Sequence, residues 1–334
     1  MLISEFGGED AVIKLIESKC RLEGDPRVVV GFGDDAALLR VGGGKLLIVT
    51  TDLLVEGTHF RRDITDPCSL GWKAAAASLS DIAAMGGLPT FGFVSIALPD
   101  IEVSFVEQLY EGMNAVSSRF GSRVIGGDTN RVNGSVAINV AQLGEVEEGC
   151  AVRRSTARAG DRILVTGTLG DSAVGLKVLA EIGLEGGNAE HPEVVGRHIR
   201  PVPRVNEARA AVQSGLVRAM MDISDGLGID LGRMCQASGV GARVAAERLP
   251  VSESLRRAAE ALGADPTSLA TSGGEDYELL IAAAPEDAAA LARAVEEATG
   301  TGVSDIGEFV EGRDALLVAP DGSHSTLQPG WKHF

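Results

Sequence analysis

The sequence predicts a two-domain α+β protein, and three observations support this fold class. Its 334 residues are enough for two domains of ordinary size. The first part mixes strands with fewer helices, whereas from residue 162 onward strands and helices alternate, which favours a sheet covered by helices. The segment 145–160 lies between these two patterns and is rich in charged and small residues. The predicted domains are therefore residues 1–148 and 149–334.

The first domain opens with a predicted amphipathic helix at residues 9–19. A short apolar strand at 46–49 ends in Thr50-Thr51-Asp52. Asp66 and Pro67 then indicate the start of a helix, as its N-cap and first helical residue. The other elements predicted in this domain are strands at 91–98, 123–125 and 135–143 and a helix at 104–120.

The second domain repeats a strand-then-helix pattern. Its predicted elements are a strand at 162–166, a helix from Asp171, a helix at 204–213, a strand before Asp222, a helix at 226–237 and further pairs up to Val318. The turn between the first strand and helix, Gly167 to Ser172, has two readings. It is either a loop whose backbone N–H groups cradle phosphate or a plain turn capped by Asp or Ser.

Charge and cysteine usage exclude several classes of function. The 47 acidic and 30 basic residues give a formal charge of −17, which argues against nucleic acid or an anionic membrane as the main partner. The four cysteines are far apart and form no Cys-x-x-Cys pair, so neither a zinc site nor a disulfide framework is indicated. No stretch reaches about 18 consecutive apolar residues, and no leader sequence is evident. We expect a cytoplasmic protein with reduced thiols.

Aspartates recur beside Gly, Ser or Thr at the predicted ends of strands and helices. One such segment is ordinary turn chemistry, but five in one chain predict carboxylates that converge on a single site. Hard oxygen ligands of this kind suit Mg²⁺, which usually binds through a few carboxylates and substrate phosphates. The five segments are Gly33-Asp34-Asp35, Thr50-Thr51-Asp52, Ser80-Asp81, Gly126-Gly127-Asp128 and Asp222-Ile223-Ser224-Asp225-Gly226.

Asp81 carries the most specific expectation of the first domain. At 3.6 residues per turn it shares one helix face with Leu70, Ala74 and Ala77, which is the face that should pack inward. A buried carboxylate costs several kcal/mol unless it is paired or bound to a cation. The alternative is that Asp81 turns outward at the end of this apolar stripe.

Motif searches limit the chemistry further. The chain has no Gly-x-x-x-x-Gly-Lys-Ser/Thr loop, no protein-kinase signature set and no Gly-x-Ser-x-Gly elbow. Any phosphate chemistry must therefore use carboxylate-held metal ions. His59 is either a substrate contact or a structural histidine, and Trp331 in the tail either anchors the tail or stacks on an aromatic substrate.

Taken together, these residues resemble the family of thiamine-monophosphate kinases. That family belongs to a superfamily with aminoimidazole-ribonucleotide synthetase and selenophosphate synthetase. The matching stretches run in the family's order over nearly the whole chain: Gly33 to Ala37, Thr51 to Phe60, Ser80 to Gly86, Gly126 to Thr129, Asp222 to Leu227, Ser272 to Leu279 and Trp331 to Phe334.

The resemblance implies a PurM-like architecture: an N-terminal α+β domain whose sheet pairs with its copy in a homodimer, and a C-terminal α/β domain. The implied metal positions are Asp34, Thr50, Thr51, Asp52, Asp81, Asp128, Asp222 and Asp225. The implied ATP contacts are Tyr110, Gly127, Asp128, Arg154 and Ser224. The implied contacts to thiamine monophosphate are His59, Glu275 and Trp331.

The implied reaction is direct in-line transfer of the γ-phosphoryl group of ATP to thiamine monophosphate, with several Mg²⁺ ions, which gives thiamine diphosphate. No general base is expected, because a phosphate monoester with a second pKa of about 6 is already anionic at neutral pH. One alternative is a ligase of the aminoimidazole-ribonucleotide synthetase type, although Ser272 to Tyr277 and the Trp331 tail favour the kinase. Another is a non-catalytic protein that binds magnesium and nucleotide.

Overall fold

The computed structural model describes residues 9–20, 25–327 and Gly330. Trp331 therefore lies outside the described residues. The strands are β1 Val28–Val30, β2 Ala37–Gly42, β3 Lys45–Val55, β4 Leu88–Leu98, β5 Arg123–Arg131, β6 Ala137–Glu147, β7 Arg162–Thr166, β8 Val217–Ile223, β9 Gly241–Ala245, β10 Glu278–Ala283, β11 Val303–Val310, β12 Ala315–Val318 and β13 His324–Thr326. The helices are α1 Glu9–Cys20, α2 Pro67–Ala84, α3 Val103–Arg119, α4 Asp171–Glu190, α5 Pro192–Ile199, α6 Val205–Ser214, α7 Leu227–Ser238, α8 Glu253–Leu262, α9 Pro266–Ser272 and α10 Ala288–Thr299.

The strands form two sheets, each built from one half of the chain. The first has six strands in the order β1-β2-β3-β6-β4-β5, and the second has seven in the order β13-β12-β9-β11-β7-β10-β8. Among the described strands, the parallel pairs are β4 with β5 in the first sheet and β9 with β12 in the second. Helices and mixed sheets of this kind confirm the predicted α+β class.

Helix α2 packs on the first sheet and continues to the second. Its start follows the predicted capping, since the Asp66 carboxylate accepts a hydrogen bond from the Ser69 N–H and Pro67 is the first helical residue. Two glycines allow α2 and α3 to approach closely: a Cβ on Gly71 would meet the Leu109 carbonyl oxygen at 1.8 Å, and one on Gly112 would meet that of Cys68 at the same distance. α2 also contacts β8, the edge strand of the second sheet.

The second sheet is covered on both faces, as the alternating pattern predicted. Every residue of its strand β10 is buried. One apolar cluster lies on the side of α7, and another lies between the sheet, α6 and α10. Within the described ranges, no helix combines the length and apolar character that crossing a membrane requires.

Two expectations about strand ends are wrong. Strand β3 does not stop before Asp52 but continues to Val55, and β5 runs through Gly126, Gly127 and Asp128 to Arg131. In both cases a neighbouring strand satisfies the backbone: β6 pairs with β3 from residue 45 to residue 55, and β4 pairs with β5 as far as Arg131. The polar side chains therefore project from strands rather than from loops.

Candidate active site

A cavity of about 940 Å³ lies between the two halves of the molecule. Its walls come from β3, the loop at residues 56–65, α2, the start of α4, the end of β8 and the segment 272–277. Acidic side chains are prominent in this lining, namely Asp52, Asp81, Asp222, Asp225 and Glu275. Four of these five are among the aspartates that the sequence singled out.

Three carboxylates meet beside the cavity, and two of them, Asp81 and Asp222, line it. Oxygen atoms of Asp35, Asp81 and Asp222 lie within 4.8 Å of one another. They come from the loop before β2, the last turn of α2 and the end of β8, so both halves of the chain contribute. Oδ2 of Asp35 is buried and has no hydrogen-bond partner among the described residues. An unpaired buried oxygen beside two further carboxylates fits a divalent cation that prefers oxygen ligands.

The electrostatics of this cluster also fit a bound divalent cation. Burial and neighbouring carboxylates raise the pKa of Asp35 and of Asp81 well above the ordinary range. Burial raises the pKa of Asp222 to about 6, against a hydrogen bond from Ser80 that lowers it. A bound cation would stabilise the ionised forms of these three carboxyl groups, because its positive charge offsets the cost of burial and their mutual repulsion.

Strand β3 places further polar groups beside the cluster. The Thr50 hydroxyl donates a hydrogen bond to Asp81, and Asp52 accepts one of 2.6 Å from the Ser78 hydroxyl. Burial raises the pKa of Asp52. Thr51 lines the cavity, where its hydroxyl accepts a hydrogen bond of 2.8 Å from Asn139.

Asp34 and Asp35 have different roles although they are adjacent. Arg154 reaches Oδ1 of Asp34 at 3.3 Å through its Nε and Oδ1 of Asp35 at 2.7 Å through its terminal nitrogen. Its backbone N–H also donates to Asp34 at 3.3 Å. Asp35, which was not among the expected metal residues, is the member of the carboxylate cluster, and Asp34 is not. The Asp-Asp pair in the sequence was the signal for this residue, but it does not say which of the two buried carboxylates approaches Asp81 and Asp222.

The turn that carries Asp222 and Asp225 is held by a residue that the sequence reasoning missed. Asp230 is fully buried in the first turn of α7, and its carboxylate accepts hydrogen bonds from the N–H groups of Ser224 and Asp225 at 3.1 and 2.9 Å. Arg233 pairs with Asp225 and with Asp230. Asp225 thus lines the cavity next to the cluster without belonging to it.

Another part of the cavity wall is organised around Glu275. Oε1 of this side chain lies 2.6 Å from Nζ of Lys73, and Oε2 lies 3.5 Å from Nδ1 of His198. Lys73 was not predicted, because a lysine in an alanine-rich helix looks like a solvent-facing residue. His59 also lines the cavity, and its Nδ1 accepts a hydrogen bond of 3.0 Å from the Val55 N–H. His59 therefore carries its ring proton on Nε2 when neutral.

Three other expected residues lie away from the cluster. Asp128 and Gly127 are exposed on β5, the edge strand of the first sheet, where the Asp128 carboxylate accepts hydrogen bonds from the Thr129 N–H and the Asn130 side chain. Tyr110 is partly buried on α3 against the core of the first domain. The structure thus joins Asp35, Asp81 and Asp222 but does not join Asp128 to them within one chain.

The turn from Gly167 to Ser172 resolves one open alternative. The Asp276 carboxylate accepts hydrogen bonds from the N–H groups of Gly170 and Ser172, at 2.7 and 3.4 Å. These backbone donors are therefore already occupied by an internal carboxyl group. The contacts favour a capped structural turn over a phosphate cradle.

Comparison with known sequences identifies the class of protein to which this two-sheet fold with an acidic cleft belongs. Residues 33–146 match the family model described as "AIR synthase related protein, N-terminal domain", and residues 158–318 match the corresponding C-terminal domain. Thiamine-monophosphate kinase of Salmonella typhimurium is 37% identical over 310 residues, which cover 92% of each chain. That of Aquifex aeolicus is 37% identical over 341 residues, covering 99% of this chain and 98% of the relative.

A solved structure gives the same result. AaThiL complexed with AMPPCP and TMP superimposes with a TM-score of 0.83 at 34% identity, covering 100% of this chain and 99% of the other. The chain belongs to the thiamine-monophosphate kinase family, with the PurM-like fold of the AIR synthase related proteins.

Proposed function

We propose that this protein transfers the γ-phosphoryl group of ATP to thiamine monophosphate and so produces thiamine diphosphate. The observation that carries the proposal is the convergence of Asp35, Asp81 and Asp222, from three distant segments, beside a cavity that Glu275 and His59 also line. A substrate that carries both a phosphate and a polar ring system matches a cavity with both kinds of group. The relatives named thiamine-monophosphate kinase support the same substrate pair.

The chain's own residues supply positioning and charge rather than proton transfer. We assign the metal-binding role to Asp35, Asp81 and Asp222, with Thr50, Thr51, Asp52 and Asp225 around them. When bound, Mg²⁺ would offset the repulsion between two anionic substrates and stabilise the charge that develops on the transferred group. Arg154 holds Asp34 and Asp35 in place, and Asp230 holds the turn of Asp222. No general base is needed, because the acceptor phosphate is already ionised at neutral pH.

The remaining assignments concern the nucleotide and the assembly. We assign Gly127, Asp128, Arg154, Ser224 and Tyr110 to ATP, and Trp331 to the thiamine end. We also propose a cytoplasmic homodimer that pairs through the first sheet, with the domain division at residues 148 and 149. The large exposed apolar side chains of this sheet support the pairing; they are Leu53, Phe91, Phe93 and Ile125.

The test is to incubate the purified protein with ATP, MgCl₂ and thiamine monophosphate and to follow thiamine diphosphate by chromatography. Formation of thiamine diphosphate and ADP in equal amounts is expected. Asp81→Asn should lower turnover by orders of magnitude with the fold intact, whereas Asp305→Asn, at an exposed ion pair with Arg162, should leave turnover unchanged. Binding of MgATP without turnover would favour a nucleotide-binding protein, and ATP cleavage that needs a different acceptor would favour a ligase.

A further inference from the structure

Helix α2 buries a lysine against Glu275, which lines the cavity. The Lys73 side chain is only 2% exposed, and its Nζ lies 2.6 Å from Oε1 of Glu275, which is 28% exposed. An ammonium group removed from water costs free energy unless it is paired, so the contact with Glu275 is what makes this burial tolerable. The ion pair also joins the first domain to the second.

The position of Lys73 along α2 relates it to the carboxylate cluster. Lys73, Ala77 and Asp81 follow one another at four-residue spacing, so they lie along one face of the helix. Ala77 and Asp81 both line the cavity. At about 1.5 Å of rise per residue, Lys73 and Asp81 are about 12 Å apart along the helix axis. A single rigid helix therefore spans the distance between the carboxylate cluster and Glu275.

The backbone of Glu275 is also fixed. Its φ of +65° lies in the left-handed region, and its N–H donates a hydrogen bond of 2.7 Å to the Ser224 carbonyl. Burial raises the pKa of Glu275, but its neighbours, Lys73 foremost, together bring the pKa below its ordinary value. Glu275 is therefore an ionised, oriented acceptor whose Oε1 is engaged by Lys73. Its Oε2 lies on the side of His198, at 3.5 Å from Nδ1.

His198 completes this arrangement as a neutral group. Burial, followed by the charge of Lys73, lowers the pKa of His198 to about 3. Its Nδ1 lies 3.0 Å from the Ser172 hydroxyl, so the ring is held at the start of α4. A neutral imidazole does not cancel the charge of Glu275, and Oε2 keeps its capacity to accept a hydrogen bond from a ligand in the cavity.

We propose that Lys73 is a positioning residue for the acceptor substrate: it holds Glu275 so that Oε2 accepts a hydrogen bond from an N–H group at the ring end of that substrate. The aminopyrimidine of thiamine monophosphate carries such an N–H group. This inference rests on the proposed function. In this proposal Lys73 acts only through Glu275.

A double-mutant cycle tests this role through the separate KM values for the two substrates. The variants are Lys73→Met, Glu275→Gln and the double variant, in which a neutral pair replaces the ion pair. In K73M we expect the KM for thiamine monophosphate to rise about 10- to 100-fold, the range for a hydrogen bond to a charged group. The kcat and the KM for ATP should stay within about threefold, because the carboxylate cluster is unchanged. The double variant should match E275Q in its KM for thiamine monophosphate, because Lys73 acts through Glu275.

The control is Lys45→Met, which breaks an exposed lysine–glutamate pair at the start of β3 and should change none of these constants. An unchanged KM for thiamine monophosphate in K73M, or equal losses in kcat and both KM values, would overturn the positioning role. If K73M does not fold, the positioning role is tested by comparing E275Q with the double variant. Different KM values for thiamine monophosphate in these two variants would overturn the positioning role. Wild-type protein that makes no thiamine diphosphate would instead overturn the proposed function.

Discussion

The carboxylate cluster makes an unusual prediction about stability: replacing Asp222 by Asn should stabilise the metal-free protein at neutral pH. The folded chain raises the pKa of this carboxyl to about 6 from its ordinary value of 3.8. Between these two values the unfolded chain has lost the proton while the folded chain still holds it. Folding therefore favours the protonated form, and raising the pH through this window lowers the free energy of unfolding. An asparagine does not titrate and avoids this loss.

The magnitude follows from the same two values. A pKa of about 6 in the folded chain against 3.8 in the unfolded chain corresponds to a penalty of about 3 kcal/mol on the free energy of unfolding above pH 6, at about 1.36 kcal/mol per pKa unit. At pH 5 only about half of that penalty is present. The advantage of Asp222→Asn should therefore grow by about 1 to 2 kcal/mol between pH 5 and pH 7.5. The hydrogen bond of 2.6 Å from the Ser80 hydroxyl to Oδ2 of Asp222 can be kept by the amide oxygen.

Urea unfolding of the wild type and Asp222→Asn in EDTA, at pH 5 and 7.5, measures the stability difference and its dependence on pH. Repeating the measurement with MgCl₂ shows how much each protein gains from the metal. Without metal the variant should be the more stable protein, and the difference should be larger at pH 7.5. With Mg²⁺ the wild type should gain stability by mass action, about 2.7 kcal/mol at a hundredfold excess over Kd, and the variant should gain much less.

A matched control uses another fully buried aspartate. Asp161 is paired with Arg218 and accepts a hydrogen bond of 2.8 Å from the Arg158 N–H, so Asp161→Asn should destabilise the protein at both pH values. The reasoning would be refuted if Asp222→Asn were less stable than the wild type in EDTA at pH 7.5. It would equally fail if Mg²⁺ stabilised both proteins to the same extent.

Three further predictions concern the site, the assembly and the packing. Asp35→Asn should abolish the Mg²⁺-dependent gain in stability and lower kcat by orders of magnitude, whereas Asp34→Asn should retain most of that gain; calorimetry with MgCl₂ compares them. Phe93→Asp should convert the proposed dimer to a monomer in analytical ultracentrifugation without unfolding it, since the side chain is exposed on the first sheet. Gly112→Ala should cost about 1 to 3 kcal/mol in thermal unfolding, because its Cβ would meet the Cys68 carbonyl oxygen at 1.8 Å.

Much of the fold was predictable where local chemistry determines it. Asp66 and Pro67 determine where α2 begins, and the helix face of Leu70 explains why Asp81 faces inward. The two sheets follow from the change in strand and helix pattern along the chain. The lengths of β3 and β5 were not predictable, because polar residues such as Asp52 and Asp128 are tolerated in a strand once a neighbouring strand satisfies the backbone.

The site was less predictable because its contacts join distant parts of the chain. Arg154 and Asp34 are 120 residues apart in sequence, and no local pattern links them. Asp35 was missed in favour of its neighbour for the same reason. Lys73 was missed because a lysine in an alanine-rich helix looks like a solvent-facing residue, and only the tertiary partner Glu275 explains why its charge is tolerated inside.

These contacts give α2 a role beyond packing. Gly71 brings α3 close to its first turns, Lys73 engages Glu275 from the second domain, and Asp81 joins the carboxylate cluster at its end. Because all three lie on one unbroken helix, the separation between Asp81 and Lys73 is set by the rise per residue and not by flexible loops. Under the proposed function, a shift of α2 by one turn would displace the metal-binding carboxylate and the substrate-binding Glu275 contact together, so the helix would couple the position of the bound ring to that of the reacting phosphate.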